Sequence, residues 1–396
     1  MSVPCELNQV KANVTRIAGL DFIRGVAILL VLCRHLHLAQ PGIESSWMHH
    51  VLFVLQRGGW CGVDLFFVLS GFLVSGILFR QYQTSGRLPI RDFLIRRGFK
   101  IYPAFWMLLE VTVIYNLVAG GTVPKRALCR ELLFVQNYFE GLYHHTWSLA
   151  VEEHCYLGIV ILLLICTRIW RHSANPFRIL PFLAVIGLVT AGWLRCRLLP
   201  DLEKNGPPSI LYPTHLRFDG FLAGVALGYF SCYRPEIFAR LCRFGRVPWI
   251  VLGALLLLPV FVFDVRHDQI VIRWCLTTNI AAAVCWILAA HSRRSNVATV
   301  SHDASLFPPI WLAMSLCIEF IGVNSYSICL WHDLLEHLVA RPLFGAAAVF
   351  PVEHPGTWVP VYLAVTLGGG ILLAYLVERP ALAWRDRWFP RKGPNS

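Results

Sequence analysis

Ten apolar stretches of about 20 residues run through this sequence of 396 residues and restrict the folds open to it. A membrane-crossing helix needs about 20 mostly apolar residues, and only helices or closed barrels can cross lipid. Hydrophobic residues make up 56% of the chain and charged residues 15%, against roughly 25% charge in soluble proteins. The sequence therefore predicts an all-α, polytopic membrane bundle with spans at 17–39, 59–80, 98–119, 147–168, 177–195, 213–231, 247–264, 271–290, 321–341 and 357–378. We expect the shorter apolar stretch 308–320 to lie in the interface or to re-enter.

The lysines and arginines predict how this bundle is oriented, because cytoplasmic loops carry an excess of both. If the N-terminus is cytoplasmic, the inner loops hold more than twice as many of the 35 Lys and Arg residues as the outer loops. We therefore expect a cytoplasmic segment 1–16, a membrane domain 17–385 and a cytoplasmic tail 386–396, in an inner or plasma membrane. The net charge of +12 then reflects topology. It does not indicate a nucleic-acid partner, since the cations are spread over many loops.

Ionisable side chains inside the first two spans are functional candidates, because each costs about 2.5–3.5 kcal/mol on insertion. Arg24 and His35 lie eleven residues apart, so they share one helix face at a separation of about 16 Å. Alternatively, Arg24 pairs locally with Asp21 and His35 is an interfacial histidine. We expect Asp64 at the depth of His35, where a carboxylate would fix the imidazole tautomer of a general base.

A small-residue pair and a basic run follow these charges. Ser70 and Gly71 lie near the middle of the second span, where small residues often serve helix packing. Arg96, Arg97 and Lys100 cluster at the inner end of the third span. The run is either positive-inside anchoring or a phosphate site, since guanidinium groups bind phosphate in a bidentate manner. The second alternative implies a nucleotide-bearing cosubstrate from the cytosol.

Two later spans carry paired charges that packing alone explains poorly. Glu152 and Glu153 are adjacent in an apolar run and point about 100° apart, so we expect only one of them to face the core. Arg217 and Asp219 are two residues apart and cannot face each other on one helix. We therefore expect both to find partners on other helices.

Seven segments follow each other along about 17–385: GLDFIRGVAILLVLCRHL, GVDLFFVLSGFLVS, FLIRRGFKIYPAFW, TWSLAVEEHCYL, RFDGFLAG, NSYSICLWHDLL and VERPALAW. In this order they resemble acyltransferase family 3, whose members are integral membrane enzymes that move acyl groups from cytosolic acyl-CoA onto sugars or other acceptors. The first segment places Arg24 and His35 at the spacing of the family's motif, an arginine and a histidine separated by ten residues.

The resemblance also implies roles for the candidates. His35 would be the general base, oriented by Asp64 or Glu152, or would carry the acyl group transiently. The cosubstrate, acyl-CoA and most simply acetyl-CoA, would be held by Arg24, Ser70, Gly71, Arg96, Arg97 and Lys100. Substrate contacts or oxyanion stabilisation would fall to Trp147, Ser148, Glu153, Arg217, Asp219, Tyr326 and His332. No metal is implied.

The predicted activity is O-acyl transfer to a hydroxyl of a cell-surface glycan such as lipopolysaccharide, or of a lipid-linked sugar. Lys100 stands where the family usually has arginine, so bidentate phosphate binding there is less favoured. Many relatives carry a soluble domain after the last helix, and because this sequence stops at Ser396 we expect such a partner to be separate or absent. An oligomer is compatible with the sequence. The alternative class is a transporter or flippase, whose intramembrane charges would form a substrate or proton path.

Overall fold

The computed structural model describes residues 17–199, 208–264, 268–292, 310–344, 352 and 355–390. Within these ranges the backbone is helical between connecting segments, and its one β-type contact is an isolated bridge between Leu38 and Val352. The all-α fold class is therefore confirmed. The predicted segment 1–16, the end of the predicted tail at 391–396 and the loop that contains Arg293 lie outside the described residues.

The first half of the chain forms long helices at the predicted spans and two short helices between them. The short helix α2 begins at Ser46, whose hydroxyl accepts a hydrogen bond from the His49 amide at 3.3 Å, an N-cap that satisfies one free donor of the first turn. The helices are α1 (Ala18–Arg34), α2 (Trp47–Gly58), α3 (Cys61–Ser85), α4 (Ile90–Val118), α5 (Lys125–Leu132), α6 (Trp147–Ile169) and α7 (Leu180–Arg197).

The second half is more interrupted. Its helices are α8 (Pro208–Leu211), α9 (Phe218–Tyr233), α10 (Pro235–Cys242), α11 (Arg246–Val262), α12 (Leu276–His291), α13 (Ile310–Val323), α14 (Ser325–Leu335), α15 (Arg341–Phe344), α16 (Pro355–Leu373) and α17 (Arg379–Trp388). Short π-helical segments, which are frequent at functional sites, precede α12 and join α14 to α15 and α16 to α17. They span Val271–Cys275, Glu336–Ala340 and Ala374–Glu378.

Among the described residues, six helices are long and apolar enough to cross a membrane, and two bent pairs raise the number to eight if each pair is one span. Each of the ten predicted spans overlaps a helix, but α1 and α9 have only 17 and 16 residues, and the predicted span 321–341 contains the bend between α13 and α14. The stretch predicted to re-enter supplies most of α13, which meets the helix after it at 77°, as in a broken span or a re-entrant segment. The chain is thus built as a multi-pass membrane protein, while ten spans and cytoplasmic termini stay predictions.

α3 is the central helix, and 72% of its most apolar part is buried. A Cβ atom added at Gly71 would lie 2.0 Å from the carbonyl oxygen of Phe221 on α9, and one added at Gly224 would lie 2.1 Å from the carbonyl oxygen of Val68. Glycines at such crossings let two helix backbones approach closely. The structure therefore places Gly71 at the crossing of α3 and α9.

Two buried ion pairs connect the helices around α9. Arg217, directly before α9, binds Asp64 on α3 at 2.5 Å, and Asp219 binds Arg195 on α7 at 2.8 Å. All four side chains are at most 4% exposed. The prediction that Arg217 and Asp219 find partners on other helices is confirmed. Because an unpaired buried charge costs about 3–5 kcal/mol, these pairs strongly disfavour other arrangements of the helices.

Candidate active site

A cavity of about 160 Å³ opens between α1, α3, α4, α6, α13 and α14. Since one water occupies about 30 Å³ in the liquid, the cavity has room for a small acyl group and the atoms next to it. The candidates that line it are Arg24, Ser70, Arg97, Lys100, Ser148, Glu152 and Tyr326. The candidates outside its wall are His35, Asp64, Gly71, Arg96, Trp147, Glu153, Arg217, Asp219 and His332.

Arg97 and Lys100, one turn apart on α4, supply positive charge to the cavity wall. The Arg97 guanidinium lies 4.8 Å from the centre of the Tyr156 ring and donates a hydrogen bond to its hydroxyl at 3.4 Å. The Lys100 ammonium forms an ion pair with Glu378 and lies 5.5 Å from the centre of the Tyr326 ring. Both cations are therefore held in place by neighbours on other helices while they face the cavity.

Arg24 and Arg96 differ in what they face. Arg24 forms an ion pair with Asp21 at 3.3 Å, as the local alternative predicts, and it also lines the cavity. Arg96 binds Asp386 on α17 and the backbone oxygen of Phe389, both at 3.2 Å. The structure therefore places Arg96 against the C-terminal helix, outside the cavity wall. We call Arg24, Arg97 and Lys100 the cationic cluster.

One face of α6 forms the polar wall of the cavity. Ser148, Glu152 and Tyr156 follow each other at intervals of four residues and so lie on the same side of the helix. The Ser70 hydroxyl on α3 donates a hydrogen bond to Glu152 at 2.5 Å, and the Tyr156 hydroxyl donates to the same carboxylate oxygen. Glu152 therefore fixes two hydroxyl groups at the cavity surface.

Glu153 and Trp147 occupy other faces of α6. Glu153 is buried and accepts a hydrogen bond from the Tyr102 hydroxyl on α4 at 2.8 Å. The expectation that only one of the adjacent carboxylates faces the protein interior is therefore wrong, because α4 supplies a donor for the second. Trp147 stacks on Tyr212 with ring centres 4.7 Å apart, and the Arg217 guanidinium lies 5.5 Å from the Trp147 ring centre.

Three histidines form a continuous row beside the cavity, which we call the histidine array. His332 is fully buried, and its ring centre is 4.7 Å from those of both His35 and His145, edge-on in each case. His145 is 8% exposed and lines the cavity. Within the described ranges no group of three His, Cys, Asp or Glu side chains is arranged to hold a metal ion. The array thus connects His35 to the cavity wall through His332.

The hydrogen bonds of Asp64 differ from those that its predicted role, orienting the imidazole of His35, requires. Its two carboxylate oxygens accept hydrogen bonds from Arg217 at 2.5 Å and from Asn279 on α12 at 2.8 Å. His35 instead donates from Nδ1 to the backbone oxygen of Val31 at 2.9 Å, so a backbone carbonyl fixes its tautomer. The hydrogen bonds of Asp64 hold helices together and do not orient His35.

The loop before α6 is anchored by a carboxylate that the sequence did not single out. Glu131 is fully buried and accepts hydrogen bonds from the amides of Leu142 and Tyr143 at 2.9 and 3.1 Å and from the Thr146 hydroxyl at 2.9 Å. This loop delivers His145 to the cavity. Burial lowers the pKa of the His145 imidazole, so the ring is neutral near pH 7.

Sequence reasoning missed His145, Tyr156 and Glu131. The first two had usable signals: His145 directly precedes the segment TWSLAVEEHCYL, and Tyr156 follows Glu152 by one helical turn within it. Glu131 had none, because its partners lie eleven to fifteen residues further along the chain.

Comparison with known proteins identifies relatives of this chain. The profile of a family described as "Acyltransferase domain", acyltransferase family 3, matches residues 17–375. Peptidoglycan O-acetyltransferase OatA of Listeria monocytogenes is 27% identical over 365 residues, which cover 86% of this chain and 52% of OatA. "Putative peptidoglycan O-acetyltransferase YrhL" of Bacillus subtilis is 25% identical over 399 residues, 95% of this chain and 56% of the relative.

The chain spans between half and three fifths of the length of these relatives. No solved structure matches it. The family profile covers most of the chain, including the cationic cluster, the polar face of α6 and the histidine array. On these grounds the chain belongs to acyltransferase family 3.

Proposed function

We propose that this protein transfers an acetyl group from cytosolic acetyl-CoA to a hydroxyl of a cell-envelope glycan. The observation that carries the proposal is a single cavity with the cationic cluster in its wall and the histidine array beside it. Arg24 and His35, one from each group, are about 16 Å apart along α1 by helical rise. Such a separation suits a long cosubstrate whose phosphates and reacting thioester are far apart.

The cationic cluster is the proposed binding site for the phosphates of CoA. Three cations lie within one wall, and although Arg24 and Lys100 each also pair with a carboxylate, charge-assisted hydrogen bonds to phosphate are among the strongest that side chains make. The cluster lies toward the end of the bundle that the lysine and arginine distribution predicts to be cytoplasmic. The cavity itself accommodates the acyl end of the donor rather than the nucleotide.

The acceptor is proposed to be a carbohydrate hydroxyl. The names of OatA and YrhL give peptidoglycan as the substrate of those relatives. We extend from them only the chemical class, a sugar hydroxyl in the cell envelope, which includes lipopolysaccharide and lipid-linked sugars. The acceptor approaches from the outer side, where the sequence places His35.

In the proposed reaction His35 takes the proton of the acceptor hydroxyl. Because Nδ1 of His35 donates to Val31, Nε2 carries the free electron pair and is the basic atom. The oxygen then attacks the thioester carbon, and the Ser148 hydroxyl in the cavity wall can stabilise the oxyanion. An acyl-imidazole on His35 is the alternative route. The family match favours either route over the alternative of a transporter or flippase.

Replacement of His35 tests the proposal. We expect purified His35→Ala to fold and to lose acetyl transfer to an oligosaccharide by about 10²–10⁴-fold, the usual contribution of a general base. Product is measured by mass spectrometry with acetyl-CoA as donor. The matched control is His50→Ala, an exposed histidine of α2, which should keep the wild-type rate.

A near wild-type rate for His35→Ala would contradict the mechanism. Saturable acetyl-CoA binding by the wild-type protein separates the two function classes. Absence of such binding, together with counterflow of a solute in proteoliposomes, would contradict acyl transfer and support transport.

A further inference from the structure

The tautomers of the histidine array are set by backbone carbonyls. Because a carbonyl oxygen only accepts hydrogen bonds, the ring nitrogen facing it must carry the proton. The three contacts are His35 Nδ1 to Val31 at 2.9 Å, His332 Nδ1 to Cys329 at 2.7 Å, and His145 Nε2 to Leu330 at 3.1 Å. Each neutral ring is therefore left with one basic nitrogen.

Two of these basic nitrogens are buried without a hydrogen-bond partner. They are Nε2 of His332 and Nδ1 of His145. An unpartnered polar atom in the interior is costly and uncommon in folded proteins. An apolar side chain would fill the position of His332 without this cost, so packing alone does not account for a histidine there.

The surroundings of the array favour one shared proton. Asp333 is close enough to interact electrostatically with His35, His145 and His332. Asp333 favours one added proton on the array, while the positive charge of Arg34 opposes one at His35. A second proton is disfavoured because two imidazolium groups at ring distances of 4.7 Å would repel each other. The array is therefore suited to accept a proton at one end and release it at the other.

We propose that His332 is a proton-relay residue that carries the acceptor proton from His35 to His145. The proposal rests on the acetyl transfer proposed above. It links His35, which lies outside the cavity wall, to His145, which lies within it. Nε2 of His332, which has no hydrogen-bond partner in the array, receives and releases the proton through one bridging water on each side, so the bond from Nδ1 to Cys329 is kept throughout.

The relay accounts for each bond and each proton of the reaction. The acceptor O–H bond breaks and its proton passes to His35, while the oxygen forms the new ester bond with the acyl carbon. The C–S bond of the thioester breaks and the electron pair remains on the CoA sulfur. A thiol has a pKa of about 8.5, so the thiolate takes up the proton that reaches His145 through His332. All groups of the array return to their neutral state.

The test uses His332→Ala in the full chain, purified in detergent. We expect kcat for acetyl transfer to fall by about 10²–10³-fold, the scale of a lost proton-transfer group, with an unchanged KM for acetyl-CoA. Added imidazole fills the space left by the ring, carries protons and should restore much of the rate. Pyrazole, a ring of the same size that stays unprotonated near neutral pH, should restore none.

Three outcomes overturn the relay. They are a wild-type rate in His332→Ala, equal recovery with imidazole and pyrazole, and recovery with neither ring; the last two assign His332 a packing role. His49→Gln is the matched control, because His49 is also buried and bonded to a backbone oxygen, that of Ala39. It should keep the wild-type kcat.

The same experiment separates the relay from the function on which it rests. If the wild-type protein transfers no acetyl group, the proposed function fails and the relay fails with it. Suppose instead that the wild-type protein transfers acetyl and His35→Ala does not. A wild-type rate for His332→Ala would then contradict the relay but not the proposed acetyl transfer.

Discussion

Two adjacent arginines on α4 have different neighbours although they are chemically identical. Arg97 lines the cavity and contacts Tyr156 on α6. Arg96 binds Asp386 on α17 outside the cavity. Successive residues on a helix point about 100° apart, so only one of the two can face the cavity. This pair allows the contribution of one charge to donor binding to be measured against a neighbour of the same kind.

Arg97→Gln should weaken acetyl-CoA binding by about 10–100-fold, since a hydrogen bond to a charged group contributes about 1.5–3 kcal/mol. Arg96→Gln removes the same charge one residue away and should change the affinity by less than about fivefold, in line with an exposed ion pair. Isothermal titration with acetyl-CoA measures both. Equal losses in the two variants would argue against a donor site at the cationic cluster.

At the scale of single residues, the sequence identified candidate side chains better than it predicted the direction in which each side chain points. Spacing singled out the basic run of α4 and the pair Arg24 and His35 as candidates, and the family resemblance gave them their proposed roles. The partner of Asp64 was not, because Arg217 is 153 residues away and only the packing of α3 against α9 brings them together. Side-chain direction depends on such long-range contacts, which local spacing does not contain.

At the scale of elements, the loop between α5 and α6 depends on one carboxylate. Glu131 accepts hydrogen bonds from two backbone amides and one hydroxyl of this loop. Nearby, the Gln136 side chain donates to the backbone oxygen of Thr146 at 3.1 Å. The start of α6, and with it His145 and Ser148, is thereby positioned against the cavity.

Glu131→Ala should lower the melting temperature in detergent and also reduce kcat. The substitution leaves three donors without their acceptor, at about 1–3 kcal/mol for each buried group, and it frees the loop that carries His145. Glu131→Gln keeps one acceptor oxygen and should be affected less. Glu140→Ala, an exposed position in the same loop, is the control and should match the wild-type protein. A normal melting temperature for Glu131→Ala would rule out the anchoring role.

The helices themselves were predictable because length and apolar composition specify a spanning segment locally. The positions at which these helices are interrupted were not predictable. The break between α13 and α14, at 77°, and the π-helical segment of α16–α17 that carries Glu378 follow no simple hydrophobic pattern. Glu378 pairs with Lys100 and accepts a hydrogen bond from Ser327 at 2.6 Å. The break between α13 and α14 borders the cavity, and the π-helical segment is connected to it through the ion pair of Glu378 with Lys100.

At the scale of the whole molecule, the cationic cluster and the histidine array lie toward opposite ends of α1. A donor from one side of a membrane and an acceptor from the other would meet at the cavity between them. This separation of the cationic cluster from the histidine array serves acetyl transfer only if the end with the cationic cluster faces the cytosol, where acetyl-CoA is made. The proposed function therefore depends on the orientation predicted from the lysines and arginines as much as it depends on any single residue.

Lysine labelling in intact cells tests this orientation, because the chain has five lysines at informative positions. A membrane-impermeant amine reagent should label Lys125 and Lys204, which the sequence places outside, and should leave Lys11 and Lys392 unlabelled. Lys100 should resist labelling even in permeabilised cells, since it is half-buried in an ion pair with Glu378. Tryptic peptides are quantified by mass spectrometry, and permeabilised cells, in which Lys11 and Lys392 should react, are the control. The reverse pattern in intact cells would place the cationic cluster outside and remove the route for a cytosolic donor.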